Sequence, residues 1–171
     1  LTLWKADFGF SSDTVGLIGA LGPNAIGAGI GALVGGWLCD KFGRKKIYQW
    51  DMLVYAAGMA MLIFAVAPWM IVVGFTIVGL AVGADIPASW SLIAEQAPDK
   101  RRGKHSGVAQ VLWYLGPVVV LLMGLILPAQ VVFAHLLIIA LALTLLRSKM
   151  QESKRWEDSQ AKDATRHSVL E

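Results

Sequence analysis

The side chains of this 171-residue sequence that could do chemistry are mostly acids and bases near the ends of apolar stretches. Asp85 is an exception, because it lies inside one such stretch, ten residues before Glu95. In a helix that separation is about 15 Å. If the stretch crosses a membrane, an acid at that depth costs roughly 2.5–3.5 kcal/mol, so a functional role is the default interpretation. Asp85 is therefore predicted to contact a substrate or a proton; the alternative is an ion pair with a base on a helix outside this chain.

A dense group of charges occupies the run from 36 to 46, where one apolar stretch ends and the next begins. So many charges cannot lie in hydrocarbon. The run is therefore predicted to be a short turn at a membrane surface that holds two helices in register. Asp51, beside Trp50, is interpreted as a structural charge associated with this turn. The turn contains one acid, four bases and a glycine, namely Asp40, Lys41, Gly43, Arg44, Lys45 and Lys46.

No group of residues has the spacing of a catalytic or metal site. The single cysteine, Cys39, cannot form an internal disulfide, and His105, His135 and His167 lack metal-ligand spacing. Nothing resembles a nucleophile–base pair, a phosphate loop or a redox motif. The sequence predicts a protein that is not an enzyme and uses neither a metal nor a cofactor.

Composition indicates that membrane helices position the charged groups. The chain is 56% hydrophobic and 16% charged, with a mean hydropathy of +0.60. A soluble core is disfavoured, because most of its helices would have no polar face. Three long stretches carry no charge, and Pro68 and Pro128 break the second and third of them.

Five membrane helices follow from these stretches, since a span needs about 20 residues. An extracytoplasmic loop is predicted at 1–12, a helical bundle at 13–147 and a cytoplasmic juxtamembrane linker at 148–171. The predicted helices are 13–40, 47–67, 69–96, 105–127 and 129–147.

The basic residues predict the orientation. Every Lys and Arg except Lys5 falls on one side of the predicted topology. Positive-inside bias makes that side cytoplasmic, with the amino end outside and the carboxyl end inside a cell membrane. The net charge of +3 follows from this asymmetry and does not indicate nucleic-acid binding.

Small residues recur at every fourth position of the first predicted helix, at Gly27, Gly31 and Gly35. This spacing lets membrane helices approach closely. Pro23 is predicted to kink the same helix. Asn24 is predicted either to line a cavity or to bond a neighbouring helix, since a polar group in lipid needs a partner.

The run from 36 to 46 resembles the signature between the second and third helices of the major facilitator superfamily. It matches Gly-x-Leu-x-Asp-Arg/Lys-x-Gly-Arg/Lys-Arg/Lys at every defined position, from Gly36 through Asp40 and Gly43 to Lys45. The resemblance implies an all-α integral membrane fold. Its five helices are the second to the sixth, within the six-helix amino-terminal half-bundle of a twelve-helix transporter. The sequence is accordingly interpreted as a fragment, with the remainder of the transporter as its partner.

The segment ending at Gly103 is similar to the close of the fourth helix in sugar porters and related metabolite–proton symporters, Ala-Glu-x-Ala-Pro-x-x-x-Arg-Gly. In those families the glutamate and arginine form a charge cluster with the arginine of the turn. The resemblance implies a conformational gate at the cytoplasmic face; the alternative is a solvated ion pair worth about 0–1 kcal/mol. The predicted gate residues are Gly36, Asp40, Gly43, Arg44, Lys45, Glu95 and Arg102.

Two further resemblances concern the solute and the linker. Gln110 matches a sugar-porter glutamine that faces the central cavity and bonds a sugar hydroxyl, but Pro117 replaces the second cavity glutamine. Gly83 to Pro87 loosely resembles the Gly-Glu/Asp-x-Pro of metabolite symporters. The segment from Glu152 to Trp156 resembles Glu-Ser-Pro-Arg-Trp, the start of the sugar-porter linker.

These features predict secondary transport of a small polar solute, a sugar, polyol or organic acid, by proton symport with alternating access. Asp85, Gln110 and Asn24 are the predicted substrate or proton contacts. The lipid bilayer is the predicted environment of the helices. The alternative is an integral-membrane structural or assembly subunit that transports nothing. A second six-helix half with a repeated turn motif would distinguish them.

Overall fold

The computed structural model describes residues 9–22, 25–153 and 156–161, and all regular structure within this part of the chain is helical. A single-turn 3₁₀ helix, Asp99–Arg101, precedes the fifth long helix, and a further helical turn covers 156–161. The α-helices are α1 (Ser12–Leu21), α2 (Ile26–Phe42), α3 (Arg44–Ile63), α4 (Pro68–Gln96), α5 (Arg102–Ile126) and α6 (Ala129–Ser148).

The two predicted proline breaks both lie between helices. Ala67 is extended, with φ −141° and ψ 148°, and α4 begins at Pro68. Leu127 is also extended, and α6 begins just after Pro128. Proline disfavours helical geometry in the preceding residue but suits the first turn of a new helix. Each proline therefore favours the start of the helix that follows it.

The other boundaries differ by a few residues from the sequence prediction. The first predicted helix, 13–40, is divided into α1, which ends at Leu21, and α2, which begins at Ile26. Pro23 and Asn24 lie outside the described residues. The second predicted helix, 47–67, corresponds to α3, which starts at the turn and ends at Ile63.

Within the described residues, four segments are long and apolar enough to cross a membrane: Ser12–Phe42, which comprises α1 and α2, and the helices Pro68–Gln96, Arg102–Ile126 and Ala129–Ser148. The helix α3 is not among them, because its first two turns are rich in charge. Its assignment as a membrane span therefore remains a prediction from the sequence.

The helix α4 lies at the centre of the bundle, with α2 and α3 packed along it and α6 packed against α3. Small residues permit the contact between α2 and α4. A Cβ added at Gly35 would lie 2.5 Å from the Cα of Ala84, and one at Gly31 or Gly83 would meet the backbone of the other helix even more closely. The predicted close approach therefore occurs, and α4 is the neighbour.

The helix α5 packs against the rest of the bundle much less than the other long helices do. None of its residues from Arg102 to Ile126 is buried, and Leu125 and Ile126 are each 83% exposed. Such a broad apolar surface is typical of a helix that faces lipid or further protein.

A pair of glycine substitutions on α2 tests the close packing. Gly35→Ala should lower the stability of the solubilised protein by about 1–3 kcal/mol, because the added methyl group clashes with Ala84. Gly29→Ala is the control, since a Cβ there meets nothing within 4 Å. Thermal unfolding checks the prediction, and equal midpoints for the two variants would contradict it.

Candidate functional site

The turn between α2 and α3 consists of one residue, Gly43. Its φ of 97° lies in the region that side chains rarely adopt, so glycine is favoured there. A Cβ at this position would also lie 2.6 Å from Oε2 of Glu152. The turn therefore needs glycine both for its backbone conformation and for the approach of a carboxylate.

That carboxylate, Glu152, lies at the amino-terminal end of α3. Both of its oxygens accept the backbone N–H of Lys45 at 3.1 Å, and Oε1 also accepts the N–H of Ser153 at 3.0 Å. The first N–H groups of a helix have no partner within the helix and carry partial positive charge. Glu152 therefore joins the segment after α6 to the start of α3.

An ion pair between Arg44 and Glu95 joins α3 to α4 beside this turn. The two side chains are 17% and 15% exposed, so water screens the pair only in part. Glu95 also accepts a hydrogen bond from the hydroxyl of Ser153, which is buried. Asp40 contributes less, because it lies 3.6 Å from Arg44 with 77% of its side chain exposed.

The segment that follows α6 covers the same turn. The indole Nε1 of Trp156 donates to the carbonyl oxygen of Asp40 at 3.0 Å, and the amide of Gln96 donates to the carbonyl oxygen of Gln151 at 3.4 Å. Lys154 and Arg155 lie outside the described residues. We call Asp40, Arg44, Glu95, Glu152 and Ser153 together the Arg44 cluster.

The other predicted gate residues have different surroundings. Lys45 contributes its backbone N–H rather than its charge. Gly36 faces α4, where an added Cβ would lie 3.9 Å from Pro87. Arg102 is half-buried at the first residue of α5. The predicted contact between Arg44 and Glu95 is present, whereas Glu152 and Ser153 were not predicted as gate residues, and only the linker resemblance gave a signal for them.

Asp85 forms an ion pair with Arg147 near the end of α6. Its Oδ1 lies 2.9 Å from Nη1 of Arg147, and the same nitrogen lies 2.9 Å from Oδ1 of Asp51. Nη1 also donates to the carbonyl oxygen of Tyr48 at 2.7 Å, and the guanidinium stacks 3.5 Å from the centre of the Tyr48 ring. We call Asp51, Asp85 and Arg147 the buried triad.

The triad differs from the arrangement expected from the sequence. The base that pairs with Asp85 lies within this chain, not on a helix outside it. Asp51, interpreted above as part of the turn, contacts Arg147 instead of the Arg44 cluster. Arg147 had been counted only as a basic residue of the cytoplasmic side. Its position at the end of an uncharged stretch was the one available signal.

Gln110 belongs to α5 and lies beside a different face of α4 from the buried triad. It lines a pocket of about 200 Å³ with Trp113 on α5 and with Ile86 and Trp90 on α4. The carboxylate of Asp85 is directed instead to α3 and α6. The predicted contacts Asp85 and Gln110 therefore do not share one site, and Asn24 falls outside the described residues.

Comparison with known proteins identifies the family. The sequence model described as Major Facilitator Superfamily matches residues 1–170. This chain belongs to the major facilitator superfamily. It is therefore a multi-pass membrane protein, and the resemblance noted for the turn motif is confirmed.

The relatives that the chain resembles are transporters. It is 50% identical over 163 residues to the minor myo-inositol transporter IolF of Bacillus subtilis, covering 92% of this chain and 37% of IolF. It is 30% identical over 161 residues to the inner membrane metabolite transport protein YgcS of Escherichia coli, covering 91% of this chain and 36% of YgcS. The chain thus spans little more than a third of these curated relatives, which are transporters and not enzymes.

The fold matches as well. The inward-open structure of the xylose transporter XylE from E. coli superposes with a TM-score of 0.75 at 23% identity, covering 84% of this chain and 38% of XylE. At that identity the match concerns the fold alone. The all-α membrane fold predicted from the sequence is confirmed.

A comparison of the two acids beside Arg44 tests the geometry of the Arg44 cluster. In double-mutant cycles with Arg44→Met, the coupling to Glu95→Gln should be about 1–3 kcal/mol, since that pair is mostly buried. The coupling to Asp40→Asn should stay below about 1 kcal/mol, because Asp40 is exposed. Unfolding of the purified variants measures both values, and equal couplings would contradict the geometry.

Proposed function

We propose that the protein containing this chain is a secondary transporter that moves a small polyol or sugar across a cell membrane by alternating access. The observation that carries the proposal is the 50% identity to IolF over 92% of the chain. The relative is described as a myo-inositol transporter, which makes a cyclic polyol the first candidate. The remaining helices of such a transporter are then the partner of this bundle.

The solute contacts the pocket between α4 and α5. Its lining is apolar and aromatic except for the Gln110 amide, which can both donate to and accept from a hydroxyl group. Aromatic rings, supplied here by Trp90 and Trp113, suit the C–H surface of a sugar or polyol ring. A complete ligand pocket usually measures about 300–1,000 Å³, so the other walls come from the rest of the transporter.

The Arg44 cluster serves as part of the gate in this proposal. It ties α3, α4 and the segment after α6 together at the basic end of the bundle, which positive-inside bias makes cytoplasmic. The ion pair and the Glu152 contact stabilise the arrangement of these segments. A transition that separates them costs free energy, which differential binding of the solute must offset.

Proton coupling is assigned to Asp85. An ionisable group among membrane helices is a functional candidate by default. Asp85 is 14% exposed and immediately precedes Ile86, which lines the proposed solute pocket. Movement of α4 on gain or loss of a proton would therefore change that pocket.

Replacing Gln110 tests the solute site. Gln110→Ala should raise the KM for myo-inositol about threefold to tenfold, the range expected for the loss of one neutral hydrogen bond. Gln130→Ala at the start of α6 is the matched control, because that glutamine is exposed and outside the pocket. Uptake into proteoliposomes with the full-length protein measures both, and unchanged KM in the Gln110 variant would remove it from the solute site.

Replacing Asp85 tests the coupling. Asp85→Asn should retain exchange of solute across the membrane but lose accumulation driven by a pH gradient. Asp13→Asn, at an exposed position in the first turn of α1, should retain both activities. Accumulation against a concentration gradient by the Asp85 variant would reduce this acid to a structural partner of Arg147.

A further inference from the structure

The buried triad joins three helices through a single nitrogen atom. Nη1 of Arg147 on α6 contacts Oδ1 of Asp51 on α3, Oδ1 of Asp85 on α4 and the carbonyl oxygen of Tyr48. The three side chains are 9%, 1% and 14% exposed in the order arginine, Asp51, Asp85. Water is therefore nearly excluded from the contact between the two acids and the base.

Nη1 of Arg147 has fewer hydrogens than there are oxygen atoms in contact with it. A guanidinium Nη1 carries two hydrogens, whereas three oxygen atoms lie within 2.9 Å of it. One of these oxygens therefore lacks a hydrogen of its own. A proton on one of the two carboxyl groups would supply it.

The charges of the two acids and the arginine do not balance either. Two ionised carboxylates and one guanidinium leave one negative charge in surroundings where an unpaired charge is costly. Oδ2 of Asp51 is buried and has no hydrogen-bond partner within the described part of the chain. Among the described residues, the other titratable groups near the triad are Tyr48 on α3 and Cys39 on α2, and neither of them supplies a positive charge.

We propose that Asp51 and Asp85 bind one proton between them, with Arg147 as the residue that positions the two carboxyl groups. Binding forms one O–H bond on either carboxylate, and its hydrogen then bonds to an oxygen of the other. Release breaks that O–H bond and transfers the proton to water. The role of this proton in transport rests on the proposed function, whereas its presence at the triad does not.

The same three segments carry both charged clusters, so binding of the shared proton can affect the gate through these segments. Asp51 lies two turns after Arg44 on α3, and Asp85 lies ten residues before Glu95 on α4. Arg147 lies five residues before Glu152. A change of charge in the triad therefore alters the contact between segments that the Arg44 cluster also holds together.

Infrared difference spectroscopy of the purified full-length protein tests the site. The C=O stretch of a protonated carboxyl group should appear in wild-type protein, titrate as one proton, and disappear in both Asp51→Asn and Asp85→Asn. Each of these variants keeps one acid for Arg147 and thus a balanced ion pair. Asp13→Asn should keep the band unchanged, because Asp13 is exposed on α1.

Transport provides the second measurement. Asp51→Asn should lose pH-driven accumulation of myo-inositol while it retains exchange, as predicted for Asp85→Asn. No carboxyl band in wild-type protein, or a band that survives in Asp51→Asn, would overturn the shared proton even if the protein transports solute. A band that behaves as expected in a protein without transport would instead sustain the site and reject the proposed function. The wild-type titration requires no variant, so poor folding of Asp51→Asn leaves the proposal open to refutation.

Discussion

The close approach of α2 to α4 determines how the remaining helices are arranged. At Gly31, Gly35 and Gly83 there is no room for a Cβ, so one side of α4 is fully occupied by backbone and small side chains. Association of membrane helices depends on such packing, because lipid tails are as apolar as the side chains themselves. Once α2 occupies this side, α3 with α6 and α5 must use the other sides of α4.

Three consecutive residues of α4 make this division visible. Ala84 meets α2, Asp85 pairs with Arg147 of α6, and Ile86 lines the pocket shared with α5. Successive residues of an α-helix are about 100° apart around its axis, so three neighbours in sequence reach three different surroundings. The close packing, the buried triad and the candidate solute pocket are thus separate sites held in fixed relation by one helix.

The sequence was sufficient for features that depend on local chemistry. Pro68 and Pro128 mark helix starts because proline acts on its immediate neighbours. The turn motif predicted the family, and the Arg44–Glu95 pair followed from that resemblance. The partner of Asp85 could not be found in this way, because Arg147 is 62 residues away in the chain and only the packing of α6 on α3 brings it near. The direction of a side chain around α4 likewise depends on which neighbour occupies each side. For that reason Asp85 and Gln110 were grouped from the sequence although they face different helices.

In the proposed transporter, the separation of the triad from the Gln110 pocket limits how a proton and a solute can influence one another. Direct contact between them is excluded by the width of α4, since Asp85 is directed to α6 and Gln110 lies on α5. Coupling between the proton and the solute would therefore act through a displacement of α4. Such a displacement is easier for a helix that is packed tightly on one side and loosely on another. The bundle has this asymmetry, because α2 and α3 pack along α4 whereas α5 has no buried residue. A change in the charge of the triad would therefore displace α4 mainly at its contact with α5, which is the least tightly packed. Trp90 and Trp113 line the pocket at this contact.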